Sequence, residues 1–171
     1  MKALILMLKQ DDPLKCTAAK LVKFRLALSV KYIPKDSLVL NPFSEMLLSK
    51  QDARISNSIC AIDCSWERAE YVLTNQFTLT RGRGIGRRLP TMLAANPTNY
   101  SKLGRLSSAE ALSGSLYILG YREKAEEIMN KFKWGHTFFE LNGNLLEDYT
   151  NAKSVMEVVQ CEKEYFAAQL S

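Results

Sequence analysis

At 171 residues the chain is long enough for one domain, or for two small ones sharing an interface, and too short for a large multidomain machine. Hydrophobic residues make up 47% and charged residues 24%, a globular balance that excludes wholesale disorder. The net charge of +5 is unevenly placed: residues 1–105 carry +9 and residues 106–171 carry −4, so the front of the chain is suited to a polyanion, the alternative being an ordinary solvated surface.

The apolar run Ala3–Leu8 is too short for a signal peptide core or a membrane span and reads as a buried strand. The polar turn Asp11-Asp12-Pro13 follows, then Thr17 as N-cap of a helix with Leu21, Phe24 and Leu28 on its apolar face. Residues 37–40 form the next strand, stopped by Asn41-Pro42, and Ser49 caps a short helix from Lys50. Ile59–Ile62 is a continuous apolar run ending at Asp63, the pattern of a central strand that delivers a carboxylate at its C-terminal end. Ser65 caps a helix through Val72, residues 80–88 form a basic loop, and Pro90–Ala95 is a buried segment. Ser107 and Glu110 make a capping-box pair for a helix running to Gly120, followed by helices over Arg122–Lys133 and Ala152–Leu170, the last with Val155, Val158, Val159 and Phe166 inward. Alternating strands and helices predict an α/β fold, with no internal repeat and no linker-like tract.

Chemistry-bearing residues fall into few groups. Cys16, Cys60, Cys64 and Cys161 match no zinc spacing and the chain has one histidine, so no metal site is expected; with no export signal the cysteines are read as free thiols packed inside. Arg81, Arg83, Arg87 and Arg88 are interleaved with glycines in a pattern that is neither a dinucleotide fingerprint nor a phosphate-binding Gly-Lys-Ser/Thr loop; guanidinium forks on a flexible backbone suit RNA. Asp63-Cys64-Ser65-Trp66 sets a proton-accepting carboxylate beside an aromatic ring able to wall an apolar or cationic group; the alternative is an Asp that caps the next helix and a Trp packed in the core. His136, among aromatics and with no nucleophile elbow in the chain, reads as a hydrogen-bonded structural residue.

Taken in order, Asp12-Pro13-Leu14-Lys15-Cys16-Thr17, Leu38-Val39-Leu40-Asn41-Pro42-Phe43, Asp63-Cys64-Ser65-Trp66, Leu89-Pro90 with Ala94–Tyr100, Leu106–Leu112 and Phe132-Lys133-Trp134-Gly135-His136 resemble the small-subunit ribosomal RNA aminocarboxypropyltransferases, SPOUT-like knotted proteins. The resemblance implies an N-terminal α/β portion (residues 1–70) and a C-terminal SPOUT-like cofactor-binding domain with a deep trefoil knot (71–171). It implies transfer of the 3-amino-3-carboxypropyl group of S-adenosylmethionine to N3 of a pseudouridine, often N1-methylated, with methylthioadenosine as the second product. A methyltransferase of the same superfamily and a non-catalytic pre-rRNA-binding assembly factor are the rival readings. By the same resemblance Asp63 is the proton acceptor or the partner of the donor's ammonium group, and Trp66 shelters the donor's methyl. The cofactor-binding set is Thr17, Leu40, Pro42, Ile62, Asp63, Trp66, Leu89, Gly104, Leu106 and Ser108. Lys15, Lys20, Lys23 and Arg25, with the four arginines of the 81–88 segment, would grip RNA. Thr98, Ser101, Leu103 and Gly104 depart from the family pattern, and at 104 any side-chain stacking is lost while a backbone contact survives. The partner implied is small-subunit rRNA or a pre-ribosomal particle, met in the cytoplasm by a monomer with no membrane attachment.

Overall fold

The computed structural model describes residues 1–8, 16–71, 73 and 84–170. Its centre is a five-stranded, all-parallel sheet in the order β2-β1-β4-β3-β5, formed by β1 (Lys2–Met7), β2 (Leu28–Val30), β3 (Leu38–Leu40), β4 (Ser58–Asp63) and β5 (Ile85–Arg87). Parallel strands covered on both faces should read as unbroken apolar runs. They do here: all of β3 is buried, as are Ile59, Cys60 and Ala61 of β4. The β1–β4 register sets Met7 opposite Asp63, so the central strands end together and present Asp63 at their C-terminal edge.

Among the described residues six α-helices accompany the sheet: α1 (Thr17–Lys23), α2 (Trp66–Tyr71), α3 (Ser108–Ile118), α4 (Arg122–Met129), α5 (Gly135–Asn151) and α6 (Val155–Leu170). The predicted capping box of α3 is present, with Ser107 Oγ accepting from Glu110 N and the Glu110 carboxylate accepting from Ser107 N. Ser49 likewise precedes a short 3-10 helix at Lys50–Arg54. The large buried cluster draws Ile5, Leu21, Leu38 and Ile59 together with Met92, Leu112, Ile128, Phe138, Tyr149 and Val158, so both sides of the division expected at residue 70 feed one core.

Four expectations need correction. The first helix stops at Lys23, because Arg25 takes a left-handed conformation (φ 59°) and turns the chain back. Phe24 and Leu28 are therefore exposed rather than on its apolar face, and Leu28 belongs to the edge strand β2. The N-cap of α1 is Cys16, whose Sγ accepts from Ala19 N at 3.3 Å, and Thr17 is the first helical residue. The basic segment ends in a strand, β5, paired with β3. Finally, α5 was not expected: Phe138, Leu145, Leu146 and Tyr149 keep helical spacing, but the buried polar Asn142 interrupts the stripe. The turn at 11–13 lies outside the described residues.

Candidate active site at the C-terminal edge of the sheet

Open α/β sheets bind ligands beyond the carboxyl ends of their strands. Here that edge opens into a cleft of about 1190 Å³, ample for a cofactor-sized molecule. Its walls come from the ends of β3 and β4, the start of α1, the stretch 88–91, the segment 96–108 and the α4–α5 turn. All ten residues expected to bind the cofactor line it: Thr17, Leu40, Pro42, Ile62, Asp63, Trp66, Leu89, Gly104, Leu106 and Ser108.

Asp63 is buried, and each carboxylate oxygen accepts from a different helix: Oδ2 from Cys16 Sγ at 3.2 Å and Oδ1 from Ser108 Oγ at 2.9 Å. Two side-chain donors fix the plane of the carboxylate. Burial, reinforced by the Asp63 charge, raises the Cys16 thiol above its ordinary range and keeps it a protonated donor at neutral pH. Cys16 entered the sequence reading as a packed thiol; only its neighbour Thr17 was expected at the site, and Thr17 Oγ1 accepts from Ala109 N at 3.4 Å, tying α1 to α3.

Trp66 is half-buried at the cleft wall rather than packed in the core. Its Nε1 donates to the Leu106 carbonyl at 3.0 Å, and the Arg105 guanidinium stands 5.0 Å from its ring centroid. The ring thus already holds a cation on its π-face, which shows that the wall can attract one.

The segment between β5 and α3 has no helix or strand, yet buried side chains fasten it at three places. Glu110, fully buried, accepts from Ala95 N (2.6 Å), Asn96 N (3.0 Å), Asn96 Nδ2 (2.7 Å) and Ser107 N (2.7 Å). Asn142 accepts from Leu93 N at 2.8 Å and donates to Leu93 O at 2.9 Å, satisfying the backbone groups that the Leu93–Leu103 bridge does not use. Glu162 accepts from Thr91 N (2.7 Å) and Thr91 Oγ1 (2.6 Å), while Tyr149 donates to Thr91 O at 2.9 Å. Burial alone would raise the Glu162 carboxyl, but the Thr91 and Arg88 hydrogen bonds outweigh it and hold it below its usual value. Of these three anchors the sequence signalled only Glu110, and only as a cap.

The residues expected on RNA divide. Lys20, Lys23 and Arg25 lie on or just after α1, with Lys20 on the cleft wall. Lys15, Arg81 and Arg83 fall outside the described residues. Arg87 and Arg88 are engaged inside the protein: Arg87 Nε pairs with the buried Asp52 at 2.9 Å, and Arg88 Nη1 with the buried Glu162 at 3.2 Å. His136 also differs from expectation, lying exposed on the first turn of α5. Of the four cysteines, Cys16 and Cys60 are buried and Cys64 and Cys161 half-buried. Among the described residues there is no cluster fit to hold a metal, and no helix is long and apolar enough to cross a membrane.

Comparison with known proteins adds to this geometry. Residues 38–166 match the family described as ribosome biogenesis protein, C-terminal. The 16S rRNA aminocarboxypropyltransferase of Methanosarcina mazei is 42% identical over 159 residues, spanning 91% of this chain and 90% of the relative. The one from Methanothermobacter thermautotrophicus is 41% identical over 170 residues, spanning 96% and 98%. The solved structure of the SAM-dependent rRNA:acp-transferase Tsr3 from Vulcanisaeta distributa superimposes with a TM-score of 0.87 at 38% identity, covering 97% of this chain and 89% of that one. Likeness of this extent, in sequence over nearly the whole length and in the path of the backbone, makes the chain a member of the 16S rRNA aminocarboxypropyltransferase family.

Proposed function

We propose that the chain transfers the 3-amino-3-carboxypropyl group of S-adenosylmethionine to N3 of a pseudouridine, N1-methylated or not, in small-subunit rRNA. The carrying observation is the Asp63 carboxylate, buried at the C-terminal edge of β4, oriented by Cys16 and Ser108, and sharing its cleft with Trp66. The bond between N3 and the donor's carbon forms as that carbon's bond to sulfur breaks. The electron pair stays on sulfur and neutralises the sulfonium, leaving methylthioadenosine, and the imide proton departs. A sulfonium is a good leaving group, so the protein's task is orientation and a route for the proton. Apolar Leu40 and Pro42 help line the adenine slot, Trp66 shelters the methyl by dispersion and cation–π attraction, and the amino-acid arm is left toward the acceptor. Asp63 has two roles open to it, receiving the N3 proton or pairing with the donor's ammonium.

The wider reading rests on the same family membership. The SPOUT-like trefoil knot, with residues 1–70 as the α/β portion and 71–171 as the cofactor-binding domain, is taken from that membership. Lys15, Lys20, Lys23, Arg25, Arg81 and Arg83 supply phosphate contacts, and the protein works as a cytoplasmic monomer on the pre-ribosomal small subunit.

Donor labelled in the carboxyl carbon tests the chemistry. Label in the rRNA together with released methylthioadenosine is the expected result. Label left in solution while a methyl group enters the RNA would overturn it in favour of a methyltransferase, and absence of donor binding at millimolar concentration would favour a pure RNA-binding assembly factor.

A further inference from the structure

Besides Trp66, the cleft is lined by Phe132 and Trp134, which belong to the turn between α4 and α5. Their ring centroids lie 5.2 Å apart with planes tilted by 36°. The two tryptophans of the cleft differ in how they are held. Trp66 Nε1 is satisfied by the Leu106 carbonyl, whereas Trp134 is half-buried and its Nε1 has no protein partner among the described residues. One indole is fastened to the wall; the other keeps a donor to offer.

The same turn is cationic. Lys20 Nζ of α1 stands 6.0 Å from the Phe132 centroid, and in return Lys131 Nζ stands 5.8 Å from the centroid of Phe24, the residue that ends α1. This exchange ties the end of α1 to the turn and brings Lys20, which lines the cleft, and Lys131 together, with Lys23, Arg25 and Lys133 close to them in sequence. Among the described residues none of the five takes part in an ion pair, while Arg87 and Arg88 have internal carboxylate partners. The α1 side of the cleft therefore carries cations with no carboxylate partner among the described residues, facing Lys102 and Arg105 on the 96–108 wall.

We propose that this rim seats the acceptor strand: Trp134 is the shelf on which an unpaired pyrimidine base of the RNA stacks, and Lys20, Lys131 and Lys133 take the flanking phosphates. Single-stranded RNA presents a π-face and a phosphate at every nucleotide, and proteins bind it with aromatic platforms set among cations. The free indole N–H is available to a base carbonyl or a ribose hydroxyl. The inference rests on the reading of the chain as an rRNA-modifying transferase and deepens it by assigning the acceptor side of the cleft.

The test uses the full chain, with deproteinised small-subunit rRNA as the transfer substrate and a pyrimidine-rich 12-nucleotide single strand as the binding probe. Trp134→Leu should raise the KM for rRNA about tenfold, with Trp134→Phe recovering most of it because a ring is restored. The exposed pair Lys131→Glu with Lys133→Glu should weaken RNA binding and lower the slope of log affinity against log salt by about two. Calorimetric affinity for S-adenosylmethionine should stay at the wild-type value in each variant. RNA should also quench tryptophan fluorescence in the wild type and not in Trp134→Phe. Wild-type KM for rRNA in both Trp134→Leu and the lysine double variant, in an enzyme that still transfers the group, would overturn the rim and leave the proposed function standing. An inactive wild type would overturn the function, and the quenching experiment would then decide the rim alone: quenching lost in Trp134→Phe supports it, and quenching unchanged there overturns it.

Discussion

Cys16 Sγ donates to Asp63 Oδ2 at 3.2 Å across 47 positions of sequence, while the same sulfur accepts from Ala19 N and caps α1. One atom thus sets both where the helix begins and which way the carboxylate faces. We predict that Cys16→Ser preserves both bonds and that Cys16→Ala loses them, with about 1–2 kcal/mol less stability in urea unfolding. Equal stability of the two variants would show that the sulfur is packing only.

At Asp63 itself the two open roles separate by kinetics. If the carboxylate takes the proton, Asp63→Ala should lower kcat about a hundredfold or more with donor affinity nearly kept. If it pairs with the ammonium, affinity and kcat/KM fall together. Calorimetry alongside single-turnover rates distinguishes these, and a variant unchanged in both would remove Asp63 from the site. Trp66→Ala should act chiefly on donor affinity.

Glu110 is the clearest stability prediction. Four donors converge on its two oxygens, so Glu110→Gln places an NH2 group against Asn96 Nδ2 and Ser107 N, or against the amides of Ala95 and Asn96. We expect a loss of about 3 kcal/mol with weakened donor binding, because the segment it clips forms a wall of the cleft. Urea titration and calorimetry on one preparation would check both parts.

For pH, Glu162 is the informative group. Its carboxyl is held below its ordinary value near 4.5, so the folded state favours the ionised form. That contribution is complete above pH 4.5 and fades as pH falls through the lower folded value. Glu162→Gln should therefore be less stable than wild type by about 1 kcal/mol at pH 6, and the gap should close in acid. A gap that stayed constant from pH 6 to the onset of acid unfolding would count against the charged hydrogen bonds to Thr91 and Arg88.

Two glycines make a contrasting pair. A Cβ at Gly135 would run into the Met129 carbonyl, so Gly135→Ala should cost more than about 3 kcal/mol or prevent folding. Gly104 has φ +66° and open space around it, so Gly104→Ala should cost only about 1 kcal/mol of backbone strain. Thermal unfolding of the two variants reads the difference directly.

What the sequence made legible was local. The run ending at Asp63, the Ser107–Glu110 box and the stop at Asn41-Pro42 each state their structure within a few residues, and each is found where expected. What stayed hidden depends on distant partners. Asn142 looks like a flaw in a helical stripe until Leu93, 49 residues away, lies beside it. Arg87 and Arg88 look like free cations until Asp52 and Glu162 meet them. Leu28 fits a helical spacing; the left-handed turn at Arg25 that removes it leaves no mark in hydrophobic period. No spacing rule brings Thr17, Asp63 and Gly104 to one cleft; their meeting depends on the fold.

The fastening of Thr91, Leu93 and Asn96 from helices later in the chain has a consequence for biosynthesis. A nascent polypeptide that has left the ribosome only through α4 already carries Asp63 and Trp66, but neither Asn142 nor Glu162 exists yet to clamp the stretch opposite them. The cleft is thus expected to take its final shape only once α6 has emerged, and a chain truncated ahead of α6 should lack the clamp on Thr91.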